Sequence, residues 1–471
     1  MSNFKLSRKF ISRSNQANKK GWKFWLSFWT ISTSILFGWF VFLNYQNSGW
    51  LGMAKLLSPF LKIAPIEEKQ KIELQSIFKV AEMLSEAEGV QTFLILFQNN
   101  MELRPGGGFI GAFGILKIEN GKVVEMDVHD TNIFDDRIDT GITPPYPMPE
   151  TLNIKSWEMR DSNWSPDFTE NAKKASELYK LQGGGEIFNG VVAVSTELLS
   201  SFLVAVGPVE IDGFPGEYNS ENAVTKLEYQ VEKGYKEQNI EKGKRKYIMK
   251  YLAKEILNKA QKLGISEKKD LLLRLETHLE QKDVMLTFFD SKIQNEITRL
   301  NWDGEVEREV SQDYLMLIDA NLAAYKTDPH IIRSFKYEVD FSQKNPVAKL
   351  DVSYINTAKV KDWMTNDYQS YLRIYTPGES WLLNTDSPRP MKFGEEFNKK
   401  YFGTLVQIPI NQTKTFHFEY QLPERITFEN YNLMIQKQSG ISEIKGEVRL
   451  INKKGEVQEK EITVIKDQKL N

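Results

Sequence analysis

Arg104-Pro105-Gly106-Gly107-Gly108-Phe109-Ile110-Gly111-Ala112-Phe113-Gly114 sets one guanidinium ahead of five glycines within nine residues. Glycine is entropically costly to order, so such a run belongs where backbone must come close to something. Two uses fit the pattern. Successive amides can form a concave nest for phosphate, pyrophosphate or carboxylate beside the forked donor of Arg104. Alternatively, the glycines allow a bulge, a tight corner and close strand packing. A P-loop would need Lys-Ser or Lys-Thr after the last glycine, and a dinucleotide fold would place a helix there. Phe109 to Ile118 is instead apolar and aromatic like a strand, which argues against nucleotide binding by either route.

Further charged groups could join Arg104. Lys244, Arg245 and Lys246 can supply charge from a helix start and Arg160, beside Asp161, from a loop; a solvated helix face and a structural ion pair are the plainer readings. His129, Asp130, Asp135, Asp136 and Asp139 are ligand types for a hard divalent cation, and equally types that make turns. There is no Ser-His-Asp order, no His-Glu-x-x-His and no cysteine, so hydrolase, zinc-protease and thiol chemistry have no support.

The elements that would position these groups begin with an unusual amino terminus. Lys5, Arg8, Lys9, Arg13, Lys19, Lys20 and Lys23 are basic, and no acid precedes Glu67. Phe24 to Tyr45 follows without a charge; as a helix rising about 1.5 Å per residue it matches the roughly 30 Å of a bilayer core. The basic side orients to the cytoplasm, which sends the rest outward as a single-pass protein of the cell membrane. The run is longer than a signal-peptide core and no small-residue cleavage site follows it, which favours an uncleaved anchor. With that arm set aside, 54 basic residues face 63 acidic ones, a balance that argues against nucleic acid as a partner.

Lys71 to Glu88 has helical spacing and leads into a strand over Thr92 to Phe97. Asn120-Gly121 between two alternating runs predicts a hairpin. Ser165-Pro166-Asp167 predicts the start of a helix reaching Leu181, with Asp167 structural rather than catalytic. A buried strand over 190–195, a helix over 196–206, a strand over 209–211 and helices over 244–263 and 267–281 give α/β order. From Arg333 onward short alternating strands predict an all-β sandwich. Tyr368, Tyr371, Tyr375 and Trp381 there suit core packing better than a sugar-stacking surface.

The segments NNMELRPGGGFIGAFG (from Asn99), RDSNWSPDF (from Arg160), FNGVVAVSTELLSSFLVAVGPVEI (from Phe188), NLAAYKTDPHIIRS (from Asn321), YQSYLRIYTPGESWLL (from Tyr368) and YNLMIQKQSG (from Tyr431) resemble, in order, the DUF4012 family of bacterial membrane-anchored proteins. The first domain of that family looks like a remote cousin of the LytR-CpsA-Psr phosphotransferases. These move a glycopolymer from a polyprenyl pyrophosphate to the cell wall, with arginines on the pyrophosphate and an aspartate helping to hold magnesium. The resemblance implies an α/β fold class: a transmembrane helix, a LytR-CpsA-Psr-like mixed α/β sheet domain and a carboxy-terminal β-sandwich. It divides the chain into a cytoplasmic tail (1–23), the span (24–45), a juxtamembrane helical segment (46–89), the α/β core (90–300), a connection (301–332) and the sandwich (333–471).

The resemblance also implies chemistry. Arg104, Arg160, Lys244 and Arg245 would hold the pyrophosphate, Gly106, Gly107 and Gly108 would donate amides, and Asp130 would act as base or Mg2+ ligand. Polyprenyl-linked glycan or membrane lipid and a cell-wall polymer become the expected partners. The departures are specific. No aspartate follows Arg104 among Pro105, Gly106 and Gly107, an Arg-Asp pair appears as His129-Asp130, and an Arg-Gln pair appears as Arg245-Lys246. Binding or transfer of a lipid-linked glycopolymer therefore stands beside a non-catalytic surface module or scaffold that binds glycan or protein.

Overall fold

The computed structural model describes residues 68–470 apart from 121 and 310; the basic tail, the span and the start of the juxtamembrane segment read above lie outside the described residues. Among the described residues no helix is long and apolar enough to cross a membrane. The chain forms two compact units. One includes helix α1 (Glu68–Glu86), where helical spacing was read, and the hairpin tip at 118–123. The other runs from 91 to 117 and from 124 onward, and holds the elements described below apart from the strand ends at 90, 118–119 and 122–123.

Its first layer is a five-stranded sheet ordered β3-β2-β1-β4-β7, built from β1 (Val90–Arg104), β2 (Gly107–Glu119), β3 (Lys122–Asp130), β4 (Gly190–Ser195) and β7 (Val284–Phe288). β1 and β4 pair in parallel, from Phe93 opposite Gly190 to Gln98 opposite Ser195, whereas β7 runs antiparallel to β4. Leu94, Leu96, Ile110 and Val191 pack against Phe168, Ala172 and Tyr179 of helix α2 (Phe168–Leu181). Asp167 caps α2 as its sequence position foretells, accepting the Glu170 N–H at 3.2 Å; its other oxygen accepts the Val306 N–H at 3.1 Å. One carboxylate thus starts a helix and ties down the chain 139 residues later.

Helices α3 (Thr196–Val206), α4 (Ala223–Tyr229) and α5 (Tyr247–Lys262), with the small hairpin of β5 (Val209–Ile211) and β6 (Phe214–Tyr218), gather a second apolar cluster through Leu203, Ile211, Tyr218, Ile248 and Leu252. Helices α6 (Ile265–Glu280) and α7 (Ser291–Arg299) flank β7 in the chain.

The carboxy-terminal region is strand-rich. It contains β8 (Asp313–Ile318), β9 (Ile331–Asp340), β10 (Val347–Asn356), β11 (Tyr368–Pro377), β12 (Trp381–Thr385), β13 (Lys392–Glu396), β14 (Lys399–Ile408), β15 (Thr413–Gln421), β16 (Leu433–Ile435), β17 (Ile444–Ile451), β18 (Val457–Val464) and β19 (Gln468–Leu470). Two six-stranded sheets result, ordered β12-β15-β10-β9-β17-β18 and β13-β14-β11-β8-β16-β19. Alternate residues of β10, Ala348, Leu350, Val352 and Tyr354, enter one apolar cluster shared with Leu372 and Phe402 of the other sheet. This is the period-two pattern of a strand with one buried face.

Two details differ from the sequence reading. The connection expected over 301–332 contributes β8, which sits between β11 and β16 inside a sheet; its buried run Asp-Tyr-Leu-Met-Leu-Ile lacks the alternation that marks half-exposed strands. The carboxy-terminal chain also returns to the first sheet. The Gln438 side-chain amide donates to the carbonyls of Arg104 and Asp319, at 3.0 and 2.7 Å, and its oxygen accepts the Asp319 N–H at 2.7 Å. Tyr368, Tyr371 and Tyr375 are core residues, while Trp381 is 67% exposed.

Candidate functional site

An apolar cleft of about 160 Å³ opens at the end of β4, where its parallel pairing with β1 stops at Gln98 and Ser195, and is walled by Phe97, Phe109, Leu199, Leu227 and Met249. The carboxyl ends of parallel strands are where open α/β sheets bind ligands, because the chain diverges there and leaves a crevice. Here β1 and β2 form one wall, α3, α4 and α5 form the other, and Asn132, Lys246, Glu228 and Lys326 supply polar atoms.

Of the cationic residues singled out from the sequence Lys246 lines this cleft, while Arg104, Arg160 and Arg245 are tied to one another through polar groups of the chain itself. Arg104 is only 2% exposed. Its guanidinium donates to Glu102 at 2.8 Å and to the Asn321 carbonyl at 2.7 Å, lies 3.6 Å from Asp161, and stacks 5.3 Å from the centre of the Phe109 ring. Burial alone would lower its pKa, but Glu102 and Asp161 raise it, so the charge is held permanently. Arg160 shares Asp161 at 3.9 Å, pairs with Glu158 and donates to the Asn132 side chain at 3.1 Å. Arg245 donates to Asp130 at 2.7 Å and Lys246 sits 3.2 Å from the other oxygen of the same carboxylate.

A second chain of charges enters from the strand-rich region. Lys326 bridges Glu102 and Glu228, at 3.3 Å each, and Glu228 accepts from Asn99 at 3.0 Å. Burial pushes the Glu228 carboxyl above its ordinary value although Lys326 opposes the shift. Neither Lys326 nor Glu228 carries a signal in the sequence, since they lie 98 positions apart and meet only through the fold.

The remaining expected site residues are placed differently. Lys244 lies in a short 3-10 turn before α5, with its side chain 55% exposed and paired to Glu241, which is the solvated reading. Gly106, Gly107 and Gly108 are buried, and what surrounds them fits the packing use of such a run. A Cβ on Gly106 would lie 2.1 Å from the Asn171 amide nitrogen, one on Gly107 would lie 2.0 Å from the Gln98 side-chain oxygen, and one on Gly108 would lie 2.2 Å from the Asn99 backbone. Gly107 also has φ +121°, a region closed to most side chains. The Gly106 amide is spent on the Asn163 carbonyl at 3.0 Å. Close approach of neighbouring chain explains these glycines.

Asp130 caps the short turn Thr131–Asp135 by accepting the Asn132 N–H at 3.0 Å. Although burial opposes its ionisation, Lys246 and Arg245 hold its carboxyl below the ordinary value. A magnesium ion needs several oxygen donors, and two cations already occupy this carboxylate. Among the described residues no three His, Asp or Glu converge to hold a metal ion. The donor set does not fit the Mg2+ that the resemblance implies.

Asp135 is buried with one oxygen accepting the Arg160 N–H at 3.2 Å and the other without a partner among the described residues. Burial pushes its carboxyl up to about 7, with Arg160 opposing. Against an unfolded value of about 3.9, the folded chain holds an extra proton between about pH 4 and pH 7, so this group's stabilisation is complete below pH 4 and lost as pH rises through 7. Asp135→Asn is expected to flatten that decline and to be the more stable form at about pH 8, read from urea midpoints at about pH 5 and pH 8. Equal pH dependence in the two proteins would refute this.

Residues 88–231 match the family described as protein of unknown function, DUF4012. The match covers the sheet strands β1 to β4, α2, α3 and most of the cleft wall. No curated protein matches the chain. Solved structures with a partial likeness include the protein gbs0355 from Streptococcus agalactiae, 13% identical with a TM-score of 0.32, covering 47% of this chain and 77% of that one. Lin1025 from Listeria innocua is also 13% identical, with a TM-score of 0.26 and coverage of 46% and 80%. A structure titled a putative nutrient binding protein from Legionella pneumophila is 10% identical, with a TM-score of 0.19 and coverage of 26% and 50%.

Proposed function

We infer that this chain is a membrane-anchored, outward-facing protein of the cell envelope that holds the hydrocarbon part of a polyprenyl-linked glycan. The observation that carries the reading is the largely apolar cleft beside the end of β4, where the parallel pairing of β1 and β4 stops. A polyprenyl chain is long and apolar, and a crevice walled by Phe97, Phe109, Leu199, Leu227 and Met249 removes such surface from water at about 25 cal/mol per Å². The LytR-CpsA-Psr resemblance supplies the ligand class and the cell-wall polymer as the neighbouring partner.

Holding is favoured over phosphoryl transfer. Arg104, Arg160 and Arg245 are each paired to carboxylates, and Asp130 is engaged by two cations, so none of these four stands free for the role the resemblance implies. A non-catalytic carrier or scaffold needs none. The test uses the full chain and a fluorescent polyprenyl pyrophosphate, with and without Mg2+. Leu227→Trp fills the cleft and is expected to weaken binding at least about tenfold, or about 1.4 kcal/mol. Absence of binding by the natural chain, or equal binding by Leu227→Trp, would overturn the reading.

A further inference from the structure

Helix α3 is eleven residues long and begins at Thr196, directly after β4. Its N-cap, Ser195, lines the cleft, as do Thr196 and Leu199 from the first turn. A serine in that position ordinarily accepts a hydrogen bond from the second or third amide of the helix. This one does not: no side-chain cap bond forms, and the Ser195 hydroxyl is buried without a partner among the described residues. Ser195 is 6% exposed. An unmet hydroxyl inside a protein is costly, and it lies here at the positive end of a helix dipole whose first amides have no side-chain cap. The Thr196 hydroxyl turns away to Asn100, so it does not fill the gap.

We propose that the Ser195 hydroxyl and the first-turn amides of α3 form a subsite for the oxyanion head group of a lipid whose hydrocarbon chain lies in the cleft. The proposal rests on the reading of the cleft as a hydrocarbon site and moves the head group away from Arg104 and the glycines. A head at this point meets a hydroxyl donor and the helix amino end, the arrangement that binds phosphate and carboxylate elsewhere. Lys246 and Lys326 line the same cleft and contribute positive field, whereas Glu228 and Glu232 line it with the opposite sign. Glu197, in the first turn, is exposed and accepts from Asn100 at 3.4 Å. With that balance the subsite suits a single compact head rather than an extended polyanion. The shared chemistry, an oxyanion on a long chain, is met by a polyprenyl phosphate and by a fatty carboxylate.

The test measures binding of the full chain to polyprenyl phosphate, the polyprenol of equal length, a five-carbon isoprenyl phosphate and a long-chain fatty acid. The natural chain is expected to prefer polyprenyl phosphate over polyprenol by about tenfold or more, and Ser195→Ala to remove most of that preference while still binding polyprenol. Ser195→Asp supplies a cap and a negative charge, so it is expected to raise the thermal midpoint and abolish the preference. Either charged lipid binding in a Ser195-dependent way supports the subsite, and the tighter of the two names its source. Equal affinity for polyprenol and polyprenyl phosphate, or a preference indifferent to both substitutions, overturns the subsite and leaves the hydrocarbon cleft standing. If the five-carbon phosphate binds as tightly as the long one and still needs Ser195, the subsite stands and the lipid reading falls. If nothing binds, both fall.

Discussion

Arg104→Ala is expected to cost the fold about 3–5 kcal/mol while changing affinity for a polyprenyl ligand by less than about threefold in the protein that remains folded. The guanidinium is buried between Glu102 and Asp161 and donates to the Asn321 carbonyl, so its removal strands two carboxylates in a medium that solvates them poorly. Lys326 still faces Glu102 and Arg160 still faces Asp161, which limits the loss. Urea unfolding of the two proteins measures the first part, and ligand titration measures the second. Replacing one of the two carboxylates as well, in the double variant Arg104→Met with Asp161→Asn, should recover part of the stability, because only Glu102, still faced by Lys326, keeps a charge there. Unchanged stability together with lost binding would instead make Arg104 a ligand-holding residue and restore the phosphate role that its sequence position suggested.

Arg333→Met should be at least as damaging, with about 3–5 kcal/mol lost and the thermal midpoint lowered correspondingly. Arg333 donates to Asp319 at 2.8 Å, to Asp328 at 2.5 Å and to the Tyr368 hydroxyl at 2.7 Å, all inside the protein. Asp328 in turn accepts the Leu103 N–H at 2.9 Å and the Asn321 amide at 2.7 Å. One guanidinium therefore neutralises the carboxylates that join β9 to the end of β1. Methionine keeps the stem and part of the volume, so the measured loss would report the charge rather than a void. A loss below about 1 kcal/mol would mean that Asp319 and Asp328 are satisfied by their neutral donors alone.

How much of this the sequence declared depends on whether the signal was local. The cap at Asp167, the helix over 196–206 and the hairpin around Asn120 are written in adjacent residues, and the structure places elements there. β7 and β8 escaped because Val284–Phe288 and Asp313–Ile318 are short apolar runs without alternation, and such runs carry no period to count. β18 escaped for the opposite reason. Its Gln458, Glu459, Lys460 and Glu461 are exposed on an outer strand, where no burial imposes a pattern.

The site shows the same division. Arg104, Arg160 and Arg245 were singled out by residue type, and the fold does link them, through Asp161, Asn132 and Asp130. What the sequence hid was their counter-charge. Glu102 stands two residues from Arg104, yet nothing local says that it turns inward, and Asp130 was read as a metal ligand because Arg245 and Lys246 lie 115 and 116 positions away. Ser195 was invisible for a different reason. A serine ahead of a helix reads as an ordinary cap, and only coordinates reveal a hydroxyl that declines the bond.

Gln438 carries a consequence for how the polypeptide matures. Its side chain joins the carbonyl of Arg104, 334 positions upstream, to the backbone of Asp319, so the end of β1 is completed by a residue synthesised long after it. A nascent chain halted anywhere before that point leaves this end of β1 unlatched. The carboxyl end of β1 therefore cannot reach its finished form until the chain has been made through Gln438, and its maturation awaits most of the strand-rich region.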